Sequence, residues 1–228
     1  SVTGPAIEEA VKEVGGHYAG CCFTSGSAGT TGAGDYLKEV FPCSKLVVGE
    51  ALQCPTLLNN GYGDHRIEGI GDKHIPWVHN VRNTDAIAAV DDEQVMQLLR
   101  LFNEDVGRDY LRKQGVSDEE IAGLSAAGIS GICNLISAIW AARYYDMDGR
   151  DVIFFPLTDS MDLYGSRFVE MAEQHGPYTT DMAARHYGRY LEAAIPSSFR
   201  ELTYFDRKSL HNFKYFTWVE QQGRTSEE

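Results

Sequence analysis

The chain has 228 residues, 43% of them hydrophobic, enough to bury a sizeable core in one large domain or two small ones. Its formal net charge of −13 argues against nucleic acid or an anionic membrane as a main partner, and no apolar run approaches a membrane span or opens a signal peptide. The five cysteines (Cys21, Cys22, Cys43, Cys54, Cys133) form no C-x-x-C pair and His74 and His79 lack ligand spacing, so no metal site is expected and a reducing, cytoplasmic setting is.

Ile7, Ala10, Val11 and Val14 recur at helical spacing between Pro5 and Gly15-Gly16, which predicts an amphipathic helix. Residues 18–23 read as a buried strand. Residues 24–34, rich in glycine and hydroxyls, then turn into a helix over residues 35–41 that stops at Pro42. A turn of this make-up lets backbone N–H groups converge on an anion, and the helix N-terminus adds its partial positive charge. Leu46-Val47-Val48 is a second buried strand, so the order implies a right-handed crossover in a parallel sheet. Residues 51–85 carry Pro55, Gly61, Gly63, Gly69, Gly71 and Pro76 with little periodicity. So long a stretch without clear elements is either functional or a surface connection.

Residues 86–90 form a third short strand. Asp91 with Gln94 makes a capping box, Val90 with Val95 a hydrophobic staple, and Val95, Leu98, Leu99 and Phe102 the buried face of a helix. Ser117 with Glu120 repeats the capping pattern. Gly128-Ile129-Ser130-Gly131 leads into an apolar helix over residues 133–145, and Val152-Ile153-Phe154-Phe155 is a strand ended by Pro156. Residues 168–174 and 180–194 read as helices. The aromatics crowded into residues 199–218 point to packing against a domain or a subunit rather than to nucleic-acid stacking. The expected fold is α/β in three layers, a mostly parallel sheet flanked by helices over residues 1–175, with a helical, aromatic-rich extension over residues 176–228.

Three blocks stand in order: the turn running into Thr31-Gly32-Ala33-Gly34-Asp35-Tyr36-Leu37-Lys38-Glu39; His65-Arg66-Ile67-Glu68-Gly69-Ile70-Gly71 followed by Ile75-Pro76; and Gly128-Ile129-Ser130-Gly131 followed by a strand that delivers Pro156-Leu157-Thr158. Over residues 4–168 this series resembles the cysteine synthase and cystathionine β-synthase branch of the fold-type-II pyridoxal-phosphate (PLP) enzymes, a superfamily that includes tryptophan synthase β. The resemblance implies that Ser25, Gly26, Ser27, Ala28 and Gly29, with Thr30 beside them, hold the cofactor phosphate. Ser27 and Ala28 stand where the family commonly has glycines. Gly69 falls in the segment lining the active-site mouth. Thr158, or Ser160 in its place, would face the pyridine nitrogen, with Asp159 close by. A hydroxyl there tempers the electron sink relative to an aspartate; apart from the resemblance, Thr158 also reads as a helix N-cap.

The family's Schiff-base lysine and its loop for the substrate carboxylate lie well before the phosphate loop, and no segment here matches either. Lys12, Lys38 and Lys45 read as solvated lysines. The expectation is the C-terminal portion of a larger enzyme, completed by a missing N-terminal half or a complementary chain, inactive alone and homo-oligomeric as the family commonly is. The implied activity is β-elimination or β-replacement on an amino-acid substrate. Threonine synthase- or dehydratase-like chemistry and a non-catalytic regulatory or scaffold module are the alternatives. A nucleotide site in the same turn ranks third, since the turn lacks the P-loop ending and a clean G-x-G-x-x-G, and only Glu50 stands at the end of the next strand.

Overall fold

Alternation along the strands decides how the layers assemble. In the computed structural model, which describes residues 2–225 and Glu227, Cys22, Val47, Ala86, Ala88 and Val90 face one core, while Cys21, Phe23, Leu46, Val48 and Ile87 face the other side of the sheet. Strands buried on both faces are the signature of a parallel sheet covered by helices. The sheet contains β1 (His17–Thr24), β2 (Lys45–Ala51), β3 (Ala86–Val90), β4 (Asp151–Phe154) and β5 (Phe199–Glu201), in the order β4-β1-β2-β3-β5. The first four run parallel, and β5 pairs antiparallel with β3.

One face carries α1 (Thr3–Val14) and α2 (Thr31–Val40), whose Ile7, Val11, Ala33 and Leu37 pack on β1. On the same face, α3 (Thr56–Asn59) and α10 (Tyr204–Tyr215) cover Val48 and Ile87 through Leu57, Leu210 and Phe213. The opposite face holds the larger core, built by α4 (Asp92–Asn103), α5 (Asp105–Lys113), α6 (Asp118–Gly123), α7 (Ile129–Tyr144), α8 (Gly165–His175) and α9 (Thr180–Tyr187). Among the described residues no single helix is long and apolar enough to cross a membrane.

The mostly parallel three-layer α/β fold read from the sequence is the observed one. Three local readings change. The helix after the turn begins at Thr31, not at residue 35, because the Thr31 hydroxyl donates to the Ala28 carbonyl at 2.6 Å and starts the helix early. Residues 180–194 do not form one α-helix, since α9 gives way to a π turn over Gly188–Glu192. Asp91 caps α4 by accepting from the Glu93 N–H at 3.0 Å, and Gln94 takes no part in a capping box, whereas Ser117 and Glu120 form the full box. Past residue 175 the chain builds onto the sheet: β5 extends it past β3, and α10 lies over the β2–β3 face.

Gly20 shows how tightly β1 and β2 meet. A Cβ there would lie 2.3 Å from the Lys45 carbonyl oxygen, next to an irregularity in the β1–β4 pairing. Gly20→Ala is expected to cost about 1–3 kcal/mol by forcing the strands apart, measured by urea denaturation. Gly149→Ala, where nothing lies within 4 Å, serves as the neutral control.

Candidate functional site

In an open parallel sheet, ligands sit beyond the carboxyl ends of the strands. The turn after β1 lies there. The Ser25 N–H donates to Gly49 O at 2.8 Å, and its carbonyl accepts from the Gly71 N–H at 2.8 Å, so the turn is held between the end of β2 and the loop of residues 51–85. Beyond Ser25 the backbone N–H groups of Gly26, Ser27, Ala28, Gly29 and Thr30 have no hydrogen-bond acceptor among the described residues. Ala28 sits at φ 62°, a left-handed conformation that curls successive N–H groups into a concave nest. The turn feeds the N-terminus of α2, whose Thr30 cap makes no side-chain bond. Ser27, Gly29 and Gly32 are exposed, so the nest opens to solvent.

Gly69 meets this loop directly. A Cβ on Gly26 would lie 3.4 Å from the Gly69 carbonyl oxygen, and Gly69 and Gly71 hold φ of 79° and 89°, where glycine is favoured. Thr158 follows β4, the strand beside β1, so its loop leaves the same edge of the sheet. Its hydroxyl lies 3.0 Å from the buried Ser130 hydroxyl at the start of α7, and no described contact joins it to residues 25–30. Ser160 is engaged as the cap of a 3-10 turn, its hydroxyl donating to Asp162 at 3.2 Å. Asp159 accepts from Tyr164 through one oxygen and leaves Oδ1 buried without a partner. Ser130 was legible as part of Gly-Ile-Ser-Gly, but its pairing across 28 residues was not.

Glu50 ends β2 at 3% exposure, and its two oxygens accept from the Leu57 and Leu58 N–H groups at 2.9 and 2.8 Å. A ribose hydroxyl would find that carboxylate already occupied, which weighs against a nucleotide site. Lys38 is not solvated: its ammonium lies 2.5 Å from Asp85 at the far end of α2 from the nest. Lys12 pairs with Glu8, and Lys45 lies 4.8 Å over the Tyr145 ring. Among the described residues no group of three or more His, Cys, Asp or Glu could hold a metal ion.

The sequence and the fold have counterparts in known proteins. A probable cysteine synthase of Bacillus subtilis is 33% identical over 99 residues, covering 43% of this chain and 32% of that protein. Cysteine synthase 3 of Caenorhabditis elegans is 28% identical over 133 residues, 58% of this chain and 34% of that protein. Over these stretches the chain is similar to cysteine synthases. It spans about half of related solved chains. A hydrogen sulfide-producing enzyme of Fusobacterium nucleatum superposes with a TM-score of 0.55 at 25% identity, over 81% of this chain and 49% of that one. An O-acetylserine dependent cystathionine β-synthase of Helicobacter pylori gives 0.52 at 26% identity, over 70% and 46%. The cysteine synthase of Entamoeba histolytica, at 17% identity, a TM-score of 0.58 and coverage of 82% and 49%, shares the fold. No family model matches the chain.

Burial pushes the Glu50 carboxyl up from 4.5 to about 7, against the two N–H donors that favour its charged form. The folded state therefore binds the proton more tightly than the unfolded chain. The stability this contributes is complete below about pH 4.5 and is lost as pH rises through about 7. Wild type is expected to lose stability relative to Glu50→Gln across that window, by at most about 1.4 kcal/mol per pH unit. Parallel denaturation profiles for the two proteins would contradict this.

Proposed function

We propose that this chain supplies the phosphate cradle and part of the pocket of a PLP-dependent enzyme that eliminates or replaces the β-substituent of an amino acid. The nest at residues 26–30 carries this reading, since five consecutive N–H groups with no acceptor among the described residues suit an anion such as a phosphate. The relationship to cysteine synthases supports the choice of PLP over other phosphates. PLP, when bound, supplies a ring that draws electrons from the α-carbon of an attached amino acid.

The chain's own residues would act on binding and orientation. The N–H groups of residues 26–30 and the α2 terminus hold the phosphate, while the hydroxyls of Ser25, Ser27 and Thr30 stand alongside. Thr158 donates to the pyridine nitrogen, kept in place by Ser130. The segment at Gly69 and Gly71 would wall the mouth, in the left-handed backbone conformation that glycine favours. The lysine that joins the cofactor, and the remainder of the substrate pocket, would come from an N-terminal half or a complementary chain, in a homo-oligomeric assembly.

Equilibrium dialysis of the chain against PLP and against pyridoxal, which lacks the phosphate, tests the cradle. PLP is expected to bind at least about tenfold more tightly, to be displaced by inorganic phosphate, and to lose at least about tenfold in affinity in Gly26→Val, whose side chain crowds the Gly69 carbonyl. Equal binding of PLP and pyridoxal, or binding of a dinucleotide in place of PLP, would overturn the reading.

A further inference from the structure

A second cavity, of about 450 Å³, opens at the carboxyl end of β3. It lies two strands, about 10 Å, from β1 and shares no lining residue with the nest. Its volume is in the range of small-molecule sites, roughly 300–1,000 Å³. One wall is Trp140 of α7, another the start of α4, and the third the π turn that carries Arg189 and Tyr190. π turns recur at functional sites because they re-aim side chains that an α-helix would place elsewhere.

Its polar groups are unspent. Gln94 is 8% exposed and its amide makes no hydrogen bond among the described residues, the same side chain that the sequence assigned to a capping box. Trp140 is 2% exposed, with its indole N–H buried and without an acceptor. Arg189 sits 5.3 Å over the Tyr190 ring and has no ion pair among the described residues. Asp91 uses Oδ1 for the Gln53 amide and the Glu93 N–H, and Oδ2 has no donor among the described residues. Buried polar groups are costly unless something hydrogen-bonds them.

We propose that this cavity binds a free α-amino acid with an aliphatic side chain, as a site separate from the cofactor cradle. A guanidinium and a carboxylate, those of Arg189 and Asp91, line the same cavity. A simple anion would be repelled by Asp91 and a simple cation by Arg189; a zwitterion satisfies both. Arg189 takes the carboxylate, while Asp91 Oδ2 and the Gln94 carbonyl take the ammonium, and the Trp140 ring forms the wall beside them. Leu52 and Ile195 leave room for the side chain.

Titration calorimetry with L-leucine, 4-methylpentanoate (no ammonium) and 3-methylbutylamine (no carboxylate), without PLP, tests this, alongside the Trp140 indole N–H resonance assigned through Trp140→Phe. L-leucine is expected to saturate and to shift that resonance. Each analogue, and the variants Gln94→Leu and Arg189→Met, are expected to bind at least about tenfold more weakly. Gly26→Val should leave leucine binding intact, which separates this site from the cradle. Circular dichroism checks folding, and the exposed Arg189→Met decides alone if Gln94→Leu does not fold. No binding, equal binding of all three ligands, or leucine binding that leaves the Trp140 resonance unmoved would overturn the proposal.

Discussion

Two hydrogen bonds at Ser25 govern the candidate site. Its N–H holds Gly49 at the end of β2, and its carbonyl holds Gly71 in the long loop. With both groups of Ser25 committed, the chain leaves the sheet at Gly26, and the following N–H groups have nothing to pair with until α2 begins. The β1–β2 pairing upstream supplies the rigidity: Gly20 lets the strands close against each other, and residues from Cys21 to Thr24 stay in register with residues from Leu46 to Gly49. The run of unpaired N–H groups is thus a consequence of where the sheet pairing ends, on a scaffold buried on both faces.

Much of this was legible in the sequence because it is local. Alternation and short branched runs located β1, β2, β3 and β4, and glycine and hydroxyl content marked the turn. The sequence also marked residues 51–85 as irregular. In the structure that stretch holds α3, one 3-10 turn and irregular loop, and it carries Gly69 and Gly71 to the site. What was not legible depends on distant partners. Ser130 meets Thr158 only because α7 packs under the β4 loop. Lys38 has the spacing of a solvated lysine but finds Asp85 from the β3 approach. Gln94 has the spacing of a capping partner, yet its side chain lines the cavity, and Asp91 caps the helix through the Glu93 N–H alone.

Residues 176–228 show the same limit. Composition marked them as aromatic and helical, but the antiparallel return of β5 beside β3 has no sequence signature of its own. The residues leading into it, Ala193, Ile195, Ser197 and Ser198, line the second cavity. Aromatics on α10 and just beyond it divide accordingly: Phe213 packs on the sheet face, whereas Phe205, 77% exposed, and Phe216 remain at the surface.

The function proposed for this chain rests on its gripping a phosphate through the backbone after β1. Amide-resolved NMR of the chain during addition of PLP tests it most directly. The account predicts that the largest shifts fall on the N–H groups of residues 26–30, with smaller ones at Gly69 and Gly71. Saturable binding that leaves those five amides unmoved would contradict it.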